Sequence, residues 1–73
     1  MGRINVVAEV TGTVWKIEAR PGAAVQADDV IILVESMKME IPVLAIDAGS
    51  VAEILVKEGE AVQEGQTVAV IAT

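Results

Sequence analysis

Apolar residues along this chain come in short runs separated by glycine, proline and charge. The runs reach five residues, as in Val30-Ile31-Ile32-Leu33-Val34. That is the length of a buried strand, far short of the roughly 20 residues of a membrane-spanning helix. Val68-Ala69-Val70-Ile71 reads as another buried strand, and Val14/Lys16 and Val51/Glu53 alternate in part with their neighbours. Gly or Pro interrupts most windows of helical length, which disfavours helix. Arg20-Pro21-Gly22-Ala23 suits a type II turn, Pro setting φ at the second position and Gly supplying positive φ at the third. Lys57-Glu58-Gly59-Glu60 keeps its glycine at the same place. Gly12 and Gly49 fall between apolar runs, as turn or bulge residues do. Pro42 cannot donate to a ladder and belongs at a strand edge or start. The pattern predicts roughly eight short strands in two sheets, an all-β sandwich with few free edges.

The pattern also repeats. Sliding the sequence by 37 residues aligns residues 8–34 with 45–71 without a gap, with eight identities in 27 positions. Gly12-Thr13-Val14-Trp15-Lys16-Ile17 lies over Gly49-Ser50-Val51-Ala52-Glu53-Ile54, and Pro21-Gly22-Ala23-Ala24-Val25-Gln26 over Glu58-Gly59-Glu60-Ala61-Val62-Gln63. Two copies are too few for a solenoid. The expected arrangement is a duplicated unit closed on itself about a pseudo-two-fold axis.

Composition narrows the function. Val and Ile number 21 against three Leu, which favours strands. The chain has no Cys and no His, so thiol chemistry, zinc sites built on those ligands and imidazole catalysis are excluded. Eleven acidic residues outweigh five basic ones, for a net charge of −6. One Trp is the only aromatic side chain. Nucleic-acid modules need a basic footprint or stacking platforms, and neither is present. No nucleophile–base pair or phosphate-binding loop can be assembled, so the chain reads as a non-catalytic protein. A domain of 73 residues buries only about 60% of its unfolded surface. Stability must therefore come from a closely packed aliphatic core. The N-terminus lacks a signal-peptide layout, and Met-Gly is followed by Val6 where a myristoylation motif wants Ser or Thr. These features read as a cytoplasmic protein without a membrane anchor, and the charge balance as a soluble monomer.

The segment between the two copies is the informative one. Residues 36–40, Ser-Met-Lys-Met-Glu, form the expected hairpin, and the 37-residue shift carries Lys38 onto the chain termini. The tip and the termini are therefore expected at opposite ends. A two-residue hairpin loop needs positive φ and favours Asn-Gly, Asp-Gly or Gly-X, whereas this loop offers Met37-Lys38. Such a local conflict in an otherwise consistent fold points to function. The residues alone also allow a solvated lysine between two methionines that fill gaps in the core.

Glu35-Ser36-Met37-Lys38-Met39-Glu40 resembles the attachment motif of biotin carboxyl carrier proteins and biotinyl domains, a lysine between two methionines. With the two half-repeats and Gly12, the resemblance extends over residues 1–73 as one biotin/lipoyl attachment domain of the single-domain kind. It implies a flattened β-barrel or barrel-sandwich hybrid of two pseudo-two-fold-related four-stranded halves, with the lysine on an exposed hairpin turn. It implies biotin joined through an amide to Lys38 by a biotin protein ligase, the base being supplied by the ligase. The group would carry an activated carboxyl between a biotin carboxylase and a carboxyltransferase. Met37 and Met39 match the flanking methionines and are assigned to ligase recognition, with packing at the hairpin base the competing role for Met39. Glu35 matches a position that in lipoyl domains helps the lipoylating enzyme choose its target, with a solvated strand-end charge as the competing role. Glu40 reads as solvent-facing, and Trp15 as the largest core or sheet-face residue. Lipoate on the same lysine is the nearest alternative, and an unmodified β-sandwich adaptor the next.

The chain also departs from that family. The constant offset leaves no room for the protruding thumb of larger bacterial carriers. Asp28 stands where the second copy has Gly65, a position usually Gly, and Ser36 replaces the commoner Ala. Asp tolerates left-handed geometry better than most residues, so the turn is expected to survive. The sequence shows no Pro/Ala-rich tether, so docking is expected to rely on the domain's own surface or on a partner.

Overall fold

The computed structural model describes residues 2–73. Eight strands make up all its regular structure: β1 (Arg3–Val7), β2 (Gly12–Ile17), β3 (Ala24–Val25), β4 (Val30–Ser36), β5 (Met39–Leu44), β6 (Gly49–Ile54), β7 (Ala61–Val62) and β8 (Thr67–Ala72). They form two antiparallel four-stranded sheets, ordered β1-β8-β6-β3 and β5-β4-β2-β7. Adding 37 to β1, β2 and β3 lands on β5, β6 and β7, and adding it to β4 lands on β8. Each sheet is thus the image of the other, built from strands of both copies. The unit is longer than residues 8–34 and 45–71 suggest, since β1 and β5 are also mates, with Ile4 over Ile41 and Val6 over Val43.

The turns fall where the glycines require. Ala23 N–H donates to Arg20 O at 3.0 Å and Glu60 N–H to Lys57 O at 3.0 Å, with Gly22 at φ 92° and Gly59 at φ 91°. A second pair of turns has Asp28 at φ 73° and Gly65 at φ 85° as the left-handed residues. Asp28 does hold the turn that its mate forms with glycine. In three of these four turns the side chain of the fourth residue accepts from the N–H of the first: Asp29 from Gln26, Glu60 from Lys57, and Gln66 from Gln63. Ala23 cannot do so at the Arg20 turn.

Gly12 and Gly49 are not turn residues. They open β2 and β6, and the reason for glycine is close approach. A Cβ on Gly12 would meet Glu35 O at 2.3 Å, and one on Gly49 would meet Ala72 O at 2.3 Å. The bulges lie further along, where register shifts between Val14/Lys16 and Val51/Glu53 leave Trp15 and Ala52 as the extra residues. Trp15 is 44% exposed there. It is a sheet-face residue and not part of the core.

The core is aliphatic and duplicated: Val14, Val34, Val51 and Ile71, with Val6, Ile31, Ile32, Val62 and Val68, are almost wholly buried. No polar or charged residue is buried among the described residues. Each such side chain contributes about 1.5–3 kcal/mol on burial. β-Branched residues lose little rotamer freedom on a sheet, which suits a small domain with little area to bury. Pro42 lies in β5, an edge strand, where no neighbour needs its missing N–H. The body measures 36 × 18 × 18 Å. Among the described residues no helix is long and apolar enough to cross a membrane.

Candidate functional site

The β4–β5 hairpin carries the Met-Lys-Met segment. Its last ladder pair is Ser36↔Met39, so Met37 and Lys38 form a two-residue loop. Both have positive φ, 52° and 66°, in the left-handed region. Two-residue hairpins adopt that geometry because it matches the twist of the strands. Neither residue is glycine, and each side chain costs about 1–2 kcal/mol in that conformation. The loop is held because β4 is pinned below it. Ile31, Ile32 and Val34 are fully buried, and β4 pairs with β2 on one side and β5 on the other.

The tip projects its side chains into solvent. Met37 is 92% exposed and Met39 61%, so neither side chain is part of the core. Lys38 is exposed and takes part in no ion pair among the described residues; the pairs present are Arg3–Glu53 and Lys16–Glu18. Glu35 and Glu40 are exposed and sit opposite each other one pair below Ser36 and Met39. An unpaired primary amine on a four-carbon stem, at the apex of a rigid hairpin, fits a group attached by an amide bond. Among the described residues no cluster of three or more His, Cys, Asp or Glu could hold a metal.

One contact was not legible beforehand. Ser36 Oγ donates to Thr11 O at 2.9 Å, tying the hairpin to the β1–β2 loop. Ser36 differs from the common Ala, which is a signal; Thr11 carries none, because its role depends on a neighbour 25 residues away. At the other end, Gly2 and Thr73 exchange backbone bonds, Gly2 N–H to Thr73 O at 3.3 Å and Thr73 N–H to Gly2 O at 2.9 Å. These residues are the 37-residue mates of Met39 and Ser36. The termini therefore form at one pole what the hairpin forms at the other.

Comparison with known proteins agrees with this geometry. The biotin/lipoyl family described as "Biotin-requiring enzyme" matches residues 3–71. The chain is 43% identical over 67 residues to "Biotinylated protein TB7.3 homolog" of Mycobacterium leprae, covering 92% of this chain and 94% of that one. It superposes on part of the Kluyveromyces lactis urea carboxylase crystal structure with a TM-score of 0.94 and 40% identity, covering 99% of this chain and 6% of the carboxylase. That small share is the size of an attachment module and not of a catalytic domain. The lipoyl domain of the 2-oxoglutarate dehydrogenase complex from Azotobacter vinelandii superposes with a TM-score of 0.73 and 29% identity, covering 93% and 96% of the two chains. The chain belongs to the biotin/lipoyl attachment family, as a carrier domain of the kind found in biotin-dependent carboxylases.

Proposed function

We propose that Lys38 is the attachment residue and that the group it takes is biotin. The observation that carries this reading is an unpaired, exposed lysine held at positive φ at the tip of a hairpin anchored in the core. In the attachment step Lys38 Nζ attacks a carboxyl carbon activated by a nucleoside triphosphate. An amide C–N bond forms, the bond to the phosphate leaving group breaks, and the amine proton passes to a base on the ligase. The chain has no His, and no carboxylate among the described residues lies within ion-pair reach of Lys38, so the base is assigned to the ligase. Biotin bound there supplies a carrier for an activated carboxyl group. The chain supplies display: a long stem on a rigid tip, with a bare surface around it, raises the effective concentration of the carried group at each partner site.

The partners under this reading are a biotin protein ligase, a biotin carboxylase and a carboxyltransferase, met by a cytoplasmic monomer. Met37 and Met39 offer the ligase flexible, exposed thioethers. Glu35, exposed three residues before the lysine, provides a further recognition position. The likeness to a lipoyl domain supports a second reading, lipoate on the same lysine. The 43% identity to a relative described as biotinylated, matched over 94% of its length, favours biotin.

The test is the intact mass of the protein after incubation with a biotin protein ligase, and separately with a lipoylating enzyme, beside a Lys38→Arg variant. A biotin increment on wild type that is lost in the variant is the expected result. A lipoyl increment alone moves the assignment to lipoate. Absence of both, as an unmodified adaptor would show, overturns the carrier reading.

A further inference from the structure

The duplication makes the molecule its own control. At the lysine pole, Ala8 N–H donates to Gln66 O at 2.9 Å and Gly65 N–H to Ala8 O at 2.8 Å. The mates of these bonds are Ala45 N–H to Asp29 O at 2.8 Å and Asp28 N–H to Ala45 O at 2.9 Å. The backbone framework is thus the same at both poles. The hydroxyl contacts are not. At the lysine pole Ser36 Oγ donates to Thr11 O at 2.9 Å, and Thr11 Oγ1 accepts from Glu64 N–H at 3.1 Å. Thirty-seven residues on, Thr11 becomes Ala48, and thirty-seven back Glu64 becomes Ala27, so no hydroxyl can join that loop to its turn. Thr73, the mate of Ser36, donates instead to Gly2 O, the residue with which it already exchanges backbone bonds, at 3.3 Å.

We propose that Ser36 and Thr11 form a brace holding the attachment turn in the orientation that the modifying ligase engages, so that both are positioning residues for acylation of Lys38. This rests on Lys38 being the attachment residue. The brace links three segments distant in sequence: the hairpin, the β1–β2 loop and the turn at Glu64. It acts where it is needed, because two side-chain-bearing residues at positive φ make this tip prone to open. The other pole, which displays no lysine, does without it. A tip that samples other orientations offers the ligase only its competent fraction, and apparent affinity falls by that fraction. The effect therefore belongs in KM and not in kcat.

The experiment uses the full chain as Ser36→Ala, Ser36→Thr and Thr11→Val variants. Two readouts are taken: amide hydrogen exchange over residues 36–40, and KM and kcat for biotinylation by a biotin protein ligase. Ser36→Ala is expected to speed exchange at the tip and raise KM, each by about 2- to 10-fold, the range one net hydrogen bond converts to. Exchange in β6 and β8 and kcat should stay unchanged. Thr11→Val, which cuts the link to Glu64, should shift both readouts in the same direction, and Ser36→Thr should restore both toward wild type. Tip exchange unchanged in both Ser36→Ala and Thr11→Val overturns the brace, as does faster exchange with KM unchanged. A wild-type chain that no ligase modifies overturns the Lys38 assignment, a different result from unchanged exchange at the tip.

Discussion

Glu35 and Glu40 face each other across the β4–β5 pair, one ladder step from the pair that closes the Lys38 turn. Like charges directly opposite on a sheet destabilise it, and here both lie on the exposed face. Glu40→Gln should therefore raise unfolding free energy by about 0.2–1 kcal/mol. Urea denaturation checks this, and the gain should shrink in 1 M salt, where the screening length falls to about 3 Å. A gain that persists unchanged at high salt would exclude charge repulsion as its source.

Gly12 tests the close approach of β2 to β4. Its missing Cβ would lie 2.3 Å from Glu35 O, a backbone atom that cannot swing away. Gly12→Ala should cost about 3 kcal/mol or more, at the upper end of overpacking effects. Gly49→Ala should cost about the same, because its clash with Ala72 O is equal. Thermal unfolding of the two variants decides it, and a neutral result at either position contradicts the shared geometry.

The turn strain at Met37 can be separated from recognition. Asn tolerates φ 52° far better than Met, so Met37→Asn should stabilise the fold by about 0.5–1 kcal/mol. In a domain this small, that raises Tm by about 2–8 °C. The same variant should be a poorer substrate for the biotin ligase, since it removes the more exposed of the two thioethers flanking Lys38. A variant that is both stabilised and modified as fast as wild type would overturn the recognition role proposed for Met37.

The pair Asp28 and Gly65 offers a reciprocal swap. The two occupy equivalent left-handed turn positions at φ 73° and φ 85°, one with a side chain and one without. Asp28→Gly should be stabilising by up to about 1 kcal/mol and Gly65→Asp destabilising by about the same, the left-handed cost offset by glycine's backbone entropy. A Cβ at Gly65 meets no heavy atom within 4 Å, so the change isolates backbone strain from packing. Chemical denaturation should give shifts of opposite sign; shifts of the same sign would show that something other than φ governs the turn.

Much of this architecture was legible in the chain because it depends on local rules. Runs of Val and Ile cut by turn glycines specify strands. The 37-residue offset specifies that two like units close on each other. The unmatched Met37-Lys38 loop marks the proposed site, since no residue suited to the turn stands there. Gly22 and Gly59 are required by φ, a property of one residue and its neighbours.

What the tertiary structure alone decided concerns groups far apart in sequence. Gly12 looks like a turn glycine until Glu35 O is found against it, because a steric limit belongs to the pair and not to the residue. Trp15 and Met39 have core-like chemistry, yet a bulge turns one outward and the hairpin tip carries the other into solvent. Thr11 looks inert in the sequence and gains its role from Ser36 and Glu64, brought to it by the folding of the sheets. Propensity and period act over a few residues and can be read along the chain. Exclusion, exposure and hydrogen bonding across 25 or 53 positions exist only once the sheets have closed.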